Sequence, residues 1–406
     1  MLTAHALLRI AGGTSGILIG LYLAGLSNDG ASIGAGLAGS LGAVSFAAEL
    51  LASIPMGIAA DRLQPRWLMS GGAVLGGIAV QLFALTGSTG IFFISRALEG
   101  IGAAAIVPAL LAYLADKTEG SPTLRVRVMS YFELTLLAGL ALGGIIAAQL
   151  FRALHAAAFT VVAVMYVTCA TILFLSVAQS TIRHIANPIA NLRDLFRLPS
   201  LRHLAPVWIC VNAIVGLWLG PTLPFLLTQH STSGQFLAGI YAASPGRVGL
   251  LLFAYAIVFG IGIALWSLLL PHVRLWLAMR ITLGAILPAC AIIYALNHSA
   301  HLPVSIRWIA GALLTLIVIV ESGFTPAALA WLAQTLPLQS GRAAAMGVYS
   351  VLLSIGAIVG SLLAAILGQR SAIDGLLAGT VLVTLAALFF LYRTPTPKST
   401  AIGANA

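Results

Sequence analysis

Apolar runs of about twenty residues recur along almost the whole chain, and that recurrence restricts the fold more than any single motif does. The hydrocarbon core of a bilayer is about 30 Å thick, which an α-helix crosses in about 20 residues. No water satisfies peptide groups there, so each run must close its hydrogen bonds on itself as a helix. Twelve runs qualify, at approximately 4–26, 36–60, 67–86, 90–115, 128–151, 156–178, 204–228, 247–270, 275–297, 303–333, 343–367 and 371–393. The tenth is long for one crossing and is expected to be tilted or broken near Gly323 and Pro326. The sequence therefore predicts an all-α integral membrane protein of twelve transmembrane helices.

Charge is scarce: 7% of residues are charged and 60% hydrophobic, against about 25% charged in an ordinary soluble domain. A water-soluble fold is excluded. A net charge of +10 would suggest nucleic acid in a soluble protein. Here the basic residues sit in short loops between apolar runs, where they meet lipid headgroups, and no nucleic-acid partner is expected. With a cytoplasmic N-terminus, Arg9, Arg62, Arg66, Lys117, Arg125, Arg127, Arg183, Arg193, Arg197, Arg202, Arg274, Arg280, Arg342, Arg393 and Lys398 fall inside. Only Arg152, Arg247, Arg307 and Arg370 fall outside, with Arg96 within a helix. That asymmetry follows the positive-inside rule and predicts cytoplasmic termini, in a bacterial inner membrane. The first run lacks the charged start and cleavage site of a signal peptide and is long enough to remain as a span. Cys169, Cys210 and Cys290 lie in apolar runs without metal spacing and are read as packing residues. His230, His298 and His301 form no metal pair, and the chain lacks a phosphate-binding Gly-x-x-x-x-Gly-Lys-Ser/Thr loop, so neither a cofactor nor direct ATP drive is expected.

The basic stretch Ser180–His203, with four arginines, divides the spans six and six. It predicts a six-helix bundle over 1–179, a cytoplasmic linker over 180–203, a second bundle over 204–393 and a cytoplasmic tail over 394–406. The bundles echo one another. Pro108-Ala-Leu-Leu-Ala-Tyr-Leu-Ala-Asp116 matches Pro326-Ala-Ala-Leu-Ala-Trp-Leu-Ala-Gln334. Arg125, Met129, Gly139 and Gly143 match Arg342, Met346, Gly356 and Gly360 at a constant offset, and Gly20-Leu-Tyr-Leu23 echoes Gly216-Leu-Trp-Leu219. Halves repeated about an axis along the membrane normal are a transporter arrangement, with the site between them near the midplane.

With these features the chain resembles the major facilitator superfamily over essentially its whole length. Gly57-Ile-Ala-Ala-Asp61-Arg62-Leu-Gln-Pro65-Arg66 resembles the signature Gly-x-x-x-Asp-Arg-x-Gly-Arg-Arg/Lys between that family's second and third helices, with Gln64 and Pro65 in place of Gly and Arg. The resemblance implies two pseudo-symmetric bundles and a cytoplasmic gate of Gly57, Asp61, Arg62, Arg66, Arg125 and Arg342, made in the outward-facing state and broken on inward opening. Gly57 would allow close helix approach; a headgroup-anchoring basic turn is the simpler reading of the same charges. Arg96-Ala-Leu-Glu99-Gly100-Ile-Gly102-Ala-Ala104 is similar to the Arg-x-x-x-Gly-x-Gly-x-Ala signature of the family's drug/proton antiporters, where the arginine is implicated in proton transfer. Glu99, one turn from Arg96, replaces the usual Gln; proton coupling and local neutralisation both remain open. Gly139, Gly143 and Gly144 resemble a partial antiporter glycine signature, at a spacing commonplace in membrane helices.

Acids in apolar runs are the remaining signal. The chain has 10 acidic residues, and Glu49, Glu133 and Glu321 are embedded in candidate spans. A charge at mid-bilayer costs roughly 2.5–3.5 kcal/mol on insertion scales, so such residues normally face a cavity or a partner. Glu49 lies 12 residues before Asp61, about 18 Å deeper along a helix axis. Desolvation disfavours its charged form and that of Glu321, which suits them to loading and releasing protons; binding a cationic substrate or pairing with a buried polar group are the alternatives. Glu133 has Ser350 as its counterpart in the repeat, so the scaffold does not require an acid there. Pairing with Arg9 or Arg125 would also account for it. Tyr22, Trp218, Phe225, Trp266, Phe324 and Trp331 are candidates for lining an apolar cavity, although aromatics in such helices more often pack or anchor.

These features predict a secondary active transporter: a monomeric, proton-coupled exporter of hydrophobic or amphiphilic small molecules, working by alternating access in the lipid bilayer. Glu49 and Glu321 would handle protons or substrate, with Glu133, Arg96 and Glu99 auxiliary. A proton symporter importing a sugar, organic acid or similar nutrient is the alternative. A membrane enzyme or assembly protein is the remote one, because no convergent nucleophile–base set is present and three deep carboxylates are costly to keep.

Overall fold

The computed structural model describes residues 2–118, 122–177, 199–230, 234–335 and 342–393. The linker expected at 180–203 falls largely, and the tail at 394–406 wholly, outside the described residues. All regular structure among these residues is helical. Spans one to six are Leu2–Asn28, Ala35–Arg62, Pro65–Leu85, Thr89–Lys117, Pro122–Leu154 and Ala158–Ser176. Span seven comprises Pro199–Trp218 and Thr222–Thr228, span eight Gly246–Leu269, span nine Leu275–Gly284 and Ile286–Asn297, and span ten Val304–Glu321 and Phe324–Thr335. Spans eleven and twelve share Arg342–Arg393 and part at Ser371 and Ala372, where Ala372 takes a φ of +48°. Among the described residues ten apolar segments are long enough to cross a membrane. Two of them, 141–176 and 351–393, hold parts of two helices each, so the crossings among the described residues number twelve. With an even number of crossings Leu2 and Arg393, the first and last described residues, fall on one face; the opposite face is called distal.

Three crossings are interrupted, and proline accounts for each. A proline has no N–H for the carbonyl four residues before it. Pro221 leaves Leu217 open, Pro288 leaves Gly284 open, and Pro326 leaves Ser322 open, each beside a gap between two helices. Pro55, Pro108 and Pro206 remain inside continuous helices. The interrupted crossings differ from these in placing Gly220, Gly284 and Gly323 at the gap. The break in span ten is where the sequence predicts it; those in spans seven and nine, expected as unbroken runs, are additional.

Glycines set the packing within each half. A Cβ on Gly139 of span five would lie 2.6 Å from the Arg9 carbonyl of span one, and one on Gly143 would lie 2.8 Å from Thr14 N. In the second half a Cβ on Gly356 of span eleven would lie 2.5 Å from the Ile209 carbonyl of span seven, and Gly360 backs onto the Ala213 carbonyl. The repeated glycines thus make the repeated contact, span five on one and span eleven on seven. The contact also corrects the register: it pairs spans one and seven one helical turn away from the Gly20/Gly216 echo, which is therefore not a structural equivalence.

Between the halves, span two packs on span eleven, span five on span eight, and span one on the short helix Thr222–Thr228. Gly39 lies against the Ala365 backbone, with 2.7 Å from an ideal Cβ to its Cα, and Gly20 lies against Pro221, Pro224 and Phe225. These approaches are towards the distal face. The apolar core follows the same division. Phe83, Phe92 and Phe159 of the first half belong to a core that continues across the seam into Phe225, Leu252, Ile373 and Leu376. A separate core, with Leu204, Trp208, Trp276, Met279, Phe324 and Leu391, lies wholly in the second half.

If glycine packing holds spans eleven and seven together, Gly360→Val should overpack the joint and cost about 1–3 kcal/mol. Gly71→Val, at an exposed position with nothing within 4 Å of a Cβ, should change stability by no more than roughly 0.5 kcal/mol. Thermal unfolding of the two purified variants checks the contrast, and equal midpoints would remove this account of the packing.

Candidate functional site

Glu49 stands at the middle of span two, and span four reaches it because Gly100 has no side chain. A Cβ there would collide with the Ser45 carbonyl and lie 3.0 Å from Glu49 N. Arg96 and Glu99 occupy the preceding turn of span four. They form an ion pair within that helix, each less than one-tenth exposed. Two further contacts tie the pair to other spans: Arg96 Nε donates to the Leu41 carbonyl on span two at 3.4 Å, and Tyr166 Oη on span six donates to Glu99 Oε1 at 3.2 Å. The Tyr166 ring fits the groove left by Gly76, with 2.8 Å from an ideal Cβ to the ring. Tyr166 is not among the residues the sequence singles out: span six also carries Thr160, Thr168 and Thr171, so its hydroxyl does not stand out there. The Glu99 carboxylate is thus neutralised and hydrogen-bonded inside the first half.

Glu49 is different. It is half-buried, makes no hydrogen bond among the described residues, and experiences the fields of Arg9 and Arg96. Arg9 Nε approaches His5 Nε2 at 3.4 Å one turn away on span one. Span one therefore brings one arginine field, and span four a second from a cation already engaged, to one mid-depth carboxyl. The side chain of Glu133, and with it the expected pairing with Arg9 or Arg125, lies outside the described residues.

In the second half, Glu321 is the last residue of Val304–Glu321, where span ten breaks. The break is held from span eight. Trp266 Nε1 donates to the Ile319 and Val320 carbonyls at 3.2 and 3.0 Å, and its ring covers the place where a side chain on Gly323 would sit. Glu321 is half-buried, neighbours Tyr255 of span eight and Cys290 of span nine electrostatically, and meets no cation or hydrogen-bond donor among the described residues. Placing it at a helix C-terminus adds the negative end of the peptide dipole to its own charge. A bound cation or a proton would relieve both.

The other sequence-predicted residues fall in separate places. In the loop after span two, Leu63 and Gln64 alone link the helices, and Pro65 is the first residue of span three. Proline is favoured at that position because its missing N–H has no helical partner, which accounts for the departure from the family signature. Arg66 lies over the rings of Trp67 and Phe174 at 5.6 and 5.4 Å, within the first half, and Arg62 is exposed. Nothing among the described residues lies within 4 Å of a would-be Cβ on Gly57. The side chains of Asp61, Arg125 and Arg342 lie outside the described residues. Tyr22 stands edge-on to Phe92 and Phe159 at 6.2 and 5.3 Å, and Trp218 Nε1 donates to Thr380 Oγ1 at 2.8 Å. Phe225 is buried in the seam, Phe324 packs near Trp208, and Trp331 pairs with Trp276. A hollow at the distal seam beside His230, Gln369 and Arg370, and an apolar groove beside Val74, Ile78 and Val167, contain neither Glu49 nor Glu321. Among the described residues no three His, Cys, Asp or Glu side chains converge.

The family model described as Major Facilitator Superfamily matches residues 1–243 and 219–406. No curated protein sequence matches the chain. Its fold is similar to that of a bacterial homolog of the human lysosomal transporter Spinster in an inward-facing and occupied conformation, with a TM-score of 0.73, 16% identity and 98% of each chain covered. The nucleoside transporter NupG gives 0.70 at 12% identity, covering 97% of this chain and 100% of that one. A POT family transporter in complex with a thioalcohol-conjugated peptide gives 0.72 at 14% identity, covering 96% and 95%. Matched from end to end, and built of two six-helix halves that repeat the same glycine contacts, the chain belongs to the major facilitator superfamily of membrane transporters.

Proposed function

We propose that the protein is a proton-coupled exporter of hydrophobic or amphiphilic small molecules, acting by alternating access from a bacterial inner membrane with both termini in the cytoplasm. The observation that carries this reading is a pair of mid-depth acids, Glu49 and Glu321, one in each half and neither hydrogen-bonded among the described residues. A carboxyl that is costly to keep ionised at mid-membrane, reached by opposite faces in turn, carries protons down their gradient while cargo moves the other way. The unit is taken as a monomer, with bundles over 1–179 and 204–393 rocking about the linker at 180–203.

With the distal face sealed, the structure corresponds on this reading to an inward-facing state. Arg66 then stacks within its own half, as expected when the gate of Gly57, Asp61, Arg62, Arg66, Arg125 and Arg342 is released. Arg96 and Glu99, locked together and to Tyr166, serve to hold spans two, four and six, and Glu133 has an auxiliary role in the first half. The aromatic candidates contribute to cargo binding only where rocking uncovers them.

Dissipating the proton gradient in cells should raise accumulation of exported compounds, and Glu49→Gln or Glu321→Gln should abolish the response while leaving folded protein in the membrane. Unchanged accumulation on collapse of the gradient rejects proton coupling, and gradient-driven uptake in right-side-out vesicles points to nutrient symport instead. For the ion pair, Glu99→Gln should leave Arg96 uncompensated and destabilise the fold by about 3–5 kcal/mol, with transport falling in proportion to folded protein. Full folding with lost coupling would assign the pair to proton transfer.

A further inference from the structure

Two side-chain amides cross the distal seam in opposite directions, and each closes a helix end belonging to the other half. Span two starts after Gly34, which has no side chain to meet the free N–H groups of the first turn. Gln369 of span eleven fills that role: its Oε1 accepts from Gly36 N–H at 2.9 Å, and a Cβ on Gly34 would run into the same amide. Span seven ends at Thr228, and there Asn28, the last residue of span one, does the complementary work. Its Nδ2 donates to the Thr228 carbonyl at 3.0 Å and its Oδ1 accepts from His230 N–H at 2.6 Å. Below these amides the backbones are already in contact, at Gly39 with Ala365 and at Gly20 with Pro221.

We infer that Gln369 and Asn28 form the distal latch of the transport cycle, positioning residues whose hydrogen bonds must break before the distal face opens and which set the ratio of the two states. The inference rests on the alternating-access reading above. The chemistry suits a latch better than a permanent weld. All the capped groups are at helix ends on a membrane surface, where water replaces the amides once the halves separate. Each bond then contributes only its net worth, enough to shift an equilibrium by roughly three- to tenfold. The glycines beneath provide close contact with no polar bonds to break, so the latch is the part of the seam that side-chain chemistry can tune.

The sign of the effect can be reversed by substitution, which separates a latch from a merely structural contact. Gln369→Leu removes the acceptor. Gln369→Glu keeps it and sets a negative charge at the positive end of the span-two helix dipole, which strengthens the bond. The test measures the distance between spin labels at Ser32→Cys and Ala243→Cys, exposed positions in distal loops of opposite halves. It uses the full chain in lipid nanodiscs with the three native cysteines replaced. The unsubstituted chain should show a short and a long population. Gln369→Leu and Asn28→Leu should each raise the long one roughly three- to tenfold, and Gln369→Glu should lower it. Two populations whose ratio ignores all three substitutions would overturn the latch while leaving alternating access intact. One unchanging distance in every chain, at acidic and at alkaline pH, would overturn alternating access and the latch together.

Discussion

Inside a bilayer a helix can be interrupted only where the protein supplies partners for the peptide groups that the interruption frees. Span ten meets that condition from outside itself. Pro326 removes an N–H, the helix stops at Glu321, and the Trp266 indole of span eight takes up the Ile319 and Val320 carbonyls. Spans eight and ten are therefore held together by the break, and the position of Glu321 depends on Trp266. The same condition acts at the distal seam. Span two begins on a glycine with no cap of its own, and the short helix of span seven ends on an open carbonyl; both are satisfied from the other half.

Away from breaks and ends, helices in lipid gain little from apolar contact with one another, because lipid tails are equally apolar; close packing of small residues supplies the attraction instead. The glycines of spans five and eleven show how a duplicated sequence uses this. Each pair lets a backbone approach the first helix of its own half, so the halves are built around the same joint. Between halves the approach is again through small residues, Gly39 with Ala365 and Gly249 with Gly144. An interface of this kind has few polar bonds to lose on parting, which is what two rocking bodies require.

The twelve crossings were legible in the sequence because length and apolarity alone define them, and so was the division into halves, through the Pro108/Pro326 and Gly139/Gly356 matches. The register between spans one and seven was not. Gly20-Leu-Tyr-Leu and Gly216-Leu-Trp-Leu are alike in composition, but composition repeats every turn in such helices and does not fix which turn faces which. The breaks in spans seven and nine were missed because proline by itself is a poor signal: Pro55, Pro108 and Pro206 sit in continuous helices. The acids were visible as charges out of place, whereas their surroundings depend on tertiary contacts. Arg96 and Glu99 pair as their spacing allows, but Tyr166, 67 residues away in the chain, completes their environment.

The environments of the acids divide them by what each can do. Glu99 has a guanidinium and a phenol within bonding distance, so removing its charge would strand Arg96. Glu321 has neither among the described residues, and its helix end opposes a negative charge. Glu49 lies between, with arginine fields but no bond among the described residues. A carboxyl whose charge is compensated on every side has no reason to change state as helices move, whereas one compensated by nothing fixed responds to whatever reaches it. On the proposed mechanism this makes Glu321 the acid most sensitive to opening. The distal seam and the broken tenth span are then parts of one device: one decides which face admits water, and the other presents the group that the water reaches.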